Sequence, residues 1–223
     1  MDPRVHGIRR MLSGIRRIWV VLSPKGGVGK TLVSVCTAIG LAREGRTVGL
    51  LDADVTNPTA HIPLGVDPRG VELREEEGVV PVRAKGVLFM SPVFFTEDRA
   101  LPLRGWEISS ILRELLAITN WGRLDCLVVD TPPGLADETL ELLLLLPRKE
   151  AILVSTPSPM ASTSARRMEE FLRDEGIPLL AHIENMSPRG IPYYPNLDAE
   201  IGHIEGTEFC RKVSEIIRSV QND

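Results

Sequence analysis

The sequence predicts an α/β fold in three layers, a mostly parallel twisted sheet flanked by helices on both faces. One reason is that apolar stretches of strand length alternate with stretches of helical spacing. Strands are expected at 18–22, 47–51, 87–91, 124–129, 151–155 and 178–183. Helices are expected at 31–42, 106–118, 137–146 and 162–175, with a last amphipathic helix around 209–220. The other reason is a glycine-rich turn that joins the first strand to the first long helix.

The length of the chain limits the number of domains. At 223 residues it suits one α/β domain over residues 1–223, with 1–17 as a basic N-terminal extension or short helix. Arginines at 9, 10, 16 and 17 alternate there with Ile8, Met11, Leu12 and Ile15. This pattern favours a solvated amphipathic helix over a membrane anchor.

The composition of the chain limits the classes of partner that we expect it to bind. The formal net charge of −4 gives no support to non-specific nucleic-acid binding, and no apolar stretch typical of a signal peptide follows the early basic residues. The three cysteines stand far apart, and the four histidines lack metal-ligand spacing. We therefore expect a cytoplasmic protein with no membrane partner and no specific nucleic-acid partner.

The turn after the first strand reads Pro24-Lys25-Gly26-Gly27-Val28-Gly29-Lys30-Thr31. Its glycines allow the backbone N–H groups of residues 26–29 to surround a phosphate at a helix N-terminus. Lys30 is expected to reach the β- and γ-phosphates, and the Thr31 hydroxyl to bind Mg²⁺. The general Walker pattern has a glycine where Pro24 stands. The loop therefore matches the deviant form KGGxGK[ST], in which the second lysine, Lys25, is diagnostic.

Carboxylates follow two of the predicted strands. Asp52 and Asp54 come after 47–51, and Asp130 comes after 124–129. The carboxyl ends of parallel strands form the ligand-binding edge of such a sheet. Asp130 is therefore expected to hold Mg²⁺ as a Walker B aspartate does, and the more distal Asp54 to reach the water beyond the γ-phosphate.

Five segments in order carry a family resemblance. They read PKGGVGKT, LLDADVTNPTAHIPLG, LPLRGWEISSILREL, NWGRLDCLVVDTPPGLADETL and HIENMS. Over residues 18–187 the chain resembles the Mrp/ApbC branch of the deviant-Walker ATPases, relatives of MinD, ParA and the nitrogenase iron protein. The resemblance implies ATP binding in a homodimer, with Lys25 reaching the partner's nucleotide, Asp54 positioning water and Asn185 contacting the base.

Adenine is expected to be preferred over guanine. Asn185 follows a predicted strand, and its amide can pair with adenine N6 and N7. A guanine-reading pattern would need a carboxylate at 188, where the chain has Pro188. A second interpretation is that Asn185 is a turn former.

Family members commonly carry iron–sulfur clusters on a CxxC after the ENMS segment, and residues 187–195 contain no cysteine. The leading hypothesis is a Mg²⁺-dependent, slowly hydrolysing ATPase that switches shape for an unidentified protein partner, with a link to iron–sulfur cluster assembly. Three other hypotheses remain. One is a cluster scaffold in which Cys126 or Cys210 meets its copy across a two-fold axis. Another is a ParA- or MinD-like positioning ATPase. The last is ATP chemistry on a small substrate, although no motif residue is left over for such a substrate.

Overall fold

A computed structural model describes residues 2–96 and 105–221. Within them seven strands form one sheet in the order β5-β6-β2-β7-β1-β8-β9, and two more form a small hairpin. The strands are β1 (Ile15–Leu22), β2 (Val48–Asp52), β3 (Arg74–Glu75), β4 (Val79–Val80), β5 (Val82–Ala84), β6 (Val87–Met90), β7 (Leu124–Asp130), β8 (Lys149–Ser155) and β9 (Leu179–Glu184). All neighbours in the large sheet are parallel except the edge pair β5 and β6. The predicted fold class is confirmed.

Helices cover both faces of the sheet, so that the apolar core forms two clusters. The helices are α1 (Arg4–Leu12), α2 (Lys30–Arg43), α3 (His61–Leu64), α4 (Val93–Thr96), α5 (Gly105–Ile118), α6 (Asp137–Leu145), α7 (Pro159–Asp174) and α8 (Glu208–Gln221). Residues from α1, α5, α6 and α7 pack on one face, and residues from α2 and α8 pack on the other. In the described part of the chain no helix has the length and apolar character needed to cross a membrane.

The N-terminal segment differs in part from its prediction. Residues 4–12 are helical and bury Ile8 and Leu12, but Ile15 already belongs to β1, which begins three residues before the predicted start. Arg17 therefore lies on a strand. Its guanidinium stacks 5.2 Å from the Trp19 ring centroid and pairs with Glu150 at 3.0 Å, which fits an extended backbone rather than a helix.

The sequence of residues 65–86, rich in glycine, proline and charge, predicts an exposed excursion with one short strand at 79–82. The structure has more strands there than this prediction. Val79 and Val80 pair with β3, whereas Val82 begins β5 and pairs with β6. Pro81 separates the two strands because it has no N–H to donate to a ladder. The segment 101–104, which contributed to the family resemblance, lies outside the described residues.

Candidate nucleotide site

The glycine loop connects β1 to α2 at the carboxyl edge of the sheet. Gly27 and Gly29 have φ of 76° and 84°, in the left-handed region that favours glycine. Gly29 directly precedes Lys30, the first residue of α2, so the loop amides open onto a helix N-terminus. The loop lines a cavity of about 270 Å³ together with Asp54 and Thr59. The cavity contains the predicted residues Lys25, Gly26, Gly27, Gly29, Lys30, Thr31 and Asp54.

Lys30 is held by the predicted Walker B carboxylate. Its Nζ lies 2.5 Å from Asp130 Oδ1, and both side chains are buried. Ser34, one turn along α2, donates its hydroxyl to the same oxygen at 2.8 Å. The ammonium group is thus fixed at the base of the loop. A charged group that is already positioned costs little further ordering when a phosphate binds.

Asp52 is a second buried carboxylate beside Asp130. The two residues are register partners on β2 and β7. Asp52 Oδ2 accepts the Ala60 N–H at 3.1 Å. Burial, and after it the charge of Asp130, raise the pKa of Asp52 to about 8. The site therefore holds two buried carboxyl groups beside one ammonium group, and the raised pKa keeps Asp52 mostly protonated below about pH 8.

The Asp52→Asn change is expected to flatten the pH dependence of stability. A carboxyl with a raised folded-state pKa stabilises the protein at low pH, and that stability is lost as pH rises towards about 8. Asparagine imitates the protonated form. We expect the nucleotide-free variant to match the parent near pH 4, close to the unfolded-state pKa of a carboxyl, and to unfold less readily at pH 8. The difference should grow by at most ~1.4 kcal/mol per pH unit.

Urea titrations from pH 4 to pH 8, with a chelator present, measure the free energy of unfolding of both proteins. The matched control is Asp54→Asn, since Asp54 is the other carboxylate of the segment and is only partly buried. Because the charge of Asp54 contributes least to the raised pKa of Asp52, this control should flatten the pH slope much less than Asp52→Asn does. The same slope in Asp52→Asn and in the parent would contradict the prediction.

The residues predicted to bind magnesium have suitable chemistry. Thr31 supplies a hydroxyl oxygen at the cavity wall and Asp130 a carboxylate, and oxygen ligands are those that Mg²⁺ prefers. A divalent cation beside Asp130 would favour the ionised form of both Asp130 and Asp52. The site therefore fits Mg²⁺ held jointly by the protein and by phosphate oxygens.

Asp54 lies above this buried pair at the cavity wall. Its Oδ1 accepts the Thr56 hydroxyl at 2.9 Å and the Asn57 N–H at 3.0 Å. These bonds orient the half-buried Asp54 carboxylate towards the space beside the loop. The water that Asp54 is predicted to position would lie in that space. Lys25, at the mouth of the loop, is exposed.

Asn185 contacts the loop itself. Its amide nitrogen donates to the Val28 carbonyl at 2.8 Å, and its amide oxygen accepts the Met186 N–H at 2.9 Å. A Cβ on Gly29 would lie 2.4 Å from that nitrogen. The base-reading role stays a prediction: the second N–H and the second lone pair of the amide remain for a base.

The Asn185→Ala change should distinguish the two roles. We expect ATP affinity to fall about 10-fold, the cost of one buried hydrogen bond, with little change for GTP if the amide reads adenine. Calorimetric titration of both nucleotides measures this. An equal loss for ATP and GTP would mean that Asn185 only holds the loop. Unchanged ATP affinity would contradict both roles.

Sequence reasoning missed three features of the site. Ser34 supports Asp130, Asp52 is a buried partner of Asp130, and the Val28 carbonyl receives Asn185. The four-residue step from Lys30 to Ser34 on one helix face was a usable signal. The other two contacts join distant parts of the chain.

The three cysteines, Cys36, Cys126 and Cys210, are all buried and unoxidised. Cys126 and Cys210 are each 1% exposed, so neither presents a thiol at the surface for a copy of this chain to meet. A cluster held by single cysteines across a two-fold axis would need an exposed thiol on each protomer. Neither cysteine provides one, so the structure does not support this hypothesis.

A parallel sheet, a glycine loop at its carboxyl edge and a buried lysine–aspartate pair define a nucleotide-binding P-loop NTPase. The family model of the ParA-type "NUBPL iron-transfer P-loop NTPase" matches residues 14–214. The chain belongs to this family, and the predicted Mrp/ApbC-type resemblance is confirmed.

Individual relatives agree with the family match. An iron–sulfur cluster carrier protein of Pseudomonas fragi is 38% identical over 178 residues, 79% of this chain and 62% of that protein. A cytosolic Fe-S cluster assembly factor, a NUBP2 homolog of Monosiga brevicollis, is 38% identical over 193 residues, 83% of this chain and 68% of that protein. The chain thus spans about two thirds of the length of these relatives. The structure of a nucleotide-binding protein from Archaeoglobus fulgidus in complex with ADP superimposes with a TM-score of 0.70 at 26% identity, covering 98% of this chain and 93% of that one.

Proposed function

We propose that this protein is a Mg²⁺-dependent ATPase that acts as a slow, dimeric nucleotide switch in iron–sulfur cluster assembly. The observation that carries the proposal is the buried Lys30–Asp130 pair beneath the glycine loop, with Lys25 exposed at the loop's mouth. The names of the relatives support the link to cluster assembly, and the Monosiga brevicollis relative, a cytosolic factor, supports a cytoplasmic site of action.

Each site residue has one proposed role. The N–H groups of residues 26–29 and the Lys30 ammonium bind the phosphates, and Thr31 with Asp130 would hold Mg²⁺. When bound, Mg²⁺ supplies charge that neutralises the phosphate oxygens. Asp54 orients the attacking water, and Lys25 reaches the nucleotide of the partner protomer. The two nucleotide states would then present different surfaces to an unidentified protein partner.

Phosphate release and light scattering test the proposal together. We expect ATP hydrolysis that needs Mg²⁺, and a dimer that forms with ATP and dissociates with ADP. Loss of both activities in Lys30→Ala would link them to this loop. Hydrolysis that persists at the parent rate in that variant would contradict the proposal, because it would come from another site or from a contaminant.

Cluster binding on this chain alone is expected to be absent. The chain has no CxxC, and all three cysteines are buried, so no exposed thiolate pair is available to hold a cluster. Anaerobic reconstitution with iron and sulfide, then gel filtration, should leave far less than one cluster per dimer by absorbance and iron content. A stable cluster that disappears in Cys210→Ser would instead identify the protein as a carrier.

A further inference from the structure

Helix α8 lies along the P-loop helix α2, and the two helices run in the same direction. A Cβ on Gly40 of α2 would lie 2.5 Å from the hydroxyl of Ser214 on α8. Four residues further along the chain in each case, Arg218 Nε of α8 lies 3.0 Å from Oε1 of Glu44, the residue that follows the end of α2. The two contacts are separated by four residues in each segment, and both segments run in the same order, so the helices are parallel. Because Gly40 has no side chain, α8 can approach α2 closely at this point.

The same register brings two cysteines together. Cys36 lies four residues before Gly40 and Cys210 four residues before Ser214, so the same register places the two thiols beside each other. Both side chains are almost fully buried in the apolar cluster between the helices and the sheet. The third cysteine, Cys126, lies on β7. The chain therefore contains one thiol pair in contact and one further buried thiol.

The two paired thiols differ in acidity. Burial raises the pKa of Cys36, whereas the neighbouring Cys36 thiol lowers the pKa of Cys210. Cys210 is thus the one that ionises first, and the thiolate is the reactive form of cysteine.

We propose that Cys36 and Cys210 are a modification site, at which a small peroxide produces a disulfide that ties α8 to the P-loop helix. The Cys210 thiolate attacks one peroxide oxygen, so that an S–O bond forms, the O–O bond breaks, and the hydroxide that leaves is protonated to water. Cys36 then attacks the sulfenic sulfur. The S–S bond forms, the S–O bond breaks, and the hydroxyl leaves as a second water with the Cys36 proton. Two electrons pass from the thiols to the peroxide. The proposal does not depend on the proposed ATPase function.

Thiol counting on the folded protein tests the site. The parent is treated with hydrogen peroxide at temperatures up to just below its melting point, so that transient opening of α8 admits the oxidant. It is then denatured and alkylated, and its free thiols are counted by mass spectrometry. We expect the count to fall from three to one, with Cys36 and Cys210 in one crosslinked peptide.

Two variants provide matched controls. Cys126→Ser should fall from two free thiols to none, and Cys210→Ser should keep its two. Because the bond closes a long loop in a contact that already exists, the oxidised parent should melt about 10 °C above the reduced parent, and Cys210→Ser should not shift. Any of three results would overturn the proposal. The parent could keep three free thiols at every temperature, it could form crosslinks through Cys126, or it could melt at a lower temperature after crosslinking.

Discussion

Lys30→Ala is expected to abolish nucleotide binding, with ATP affinity reduced at least ~100-fold. The variant loses the ammonium group that is proposed to bind the phosphates, and a buried hydrogen bond to a charged group contributes about 3 kcal/mol. It also leaves Asp130 unpaired beside Asp52, which should destabilise the fold by ~3 kcal/mol or more. Calorimetric titration of ATP measures the affinity, at a temperature where circular dichroism reports a native fold.

Lys25→Ala is the matched control, because it removes the other lysine of the same loop. Lys25 is exposed, so its loss should leave ATP affinity within ~3-fold of the parent and spare the fold. Hydrolysis and ATP-dependent dimerisation should both be lost. An equal fall of ATP affinity in the two variants would contradict the role of Lys25 at the partner's nucleotide. Unchanged affinity in Lys30→Ala would contradict the phosphate-binding role of the loop.

Asp54→Ala is expected to lower the rate of ATP hydrolysis at least ~100-fold, the usual range for loss of a group that positions or activates water. ATP affinity should change little, because the glycine loop and Lys30 are the groups proposed to bind the phosphates. The variant should then accumulate as an ATP-bound dimer. Single-turnover phosphate release and light scattering in the presence of Mg²⁺ measure the two effects.

Asp67→Ala serves as the charge control for Asp54→Ala. Asp67 is exposed, belongs to the same connection after β2, and pairs with Arg69 at 3.1 Å. Hydrolysis in this control should remain at the parent rate. The water-positioning role of Asp54 is wrong if Asp54→Ala hydrolyses ATP at that rate as well.

Local sequence patterns were sufficient to predict most of the fold. The β-branched run before Pro24 and the apolar run after Thr31 each agree with one secondary structure, and the glycines between them set the turn. Predictions were less accurate where a long-range contact decides the outcome. Ile15 and Arg17 continue the helical spacing of residues 8–12, but they lie in a strand because β1 pairs with β7 and β8. At 79–82 a single proline redirects the chain to a second partner strand.

The site could be predicted where its residues adjoin the loop or the end of a strand, and not where two distant segments meet. Lys30 and Asp130 are 100 residues apart, but each belongs to a recognisable motif. The burial of Asp52 depends on the alignment of β2 with β7, and no local pattern encodes that alignment. The bond from Asn185 to the Val28 carbonyl likewise requires the end of β9 to approach the loop across the sheet edge.

The central place of β1 has a consequence for how this protein is made. Its two neighbours in the sheet, β7 and β8, are synthesised much later than the glycine loop that follows β1. Pairings between segments so distant in sequence form slowly, and an apolar strand without partners is prone to aggregate. A nascent chain that ends before Leu124 thus contains every residue of the loop, yet lacks both strands that hold β1 in the sheet. In the cell, the interval until β8 leaves the ribosome is when this chain most needs a chaperone.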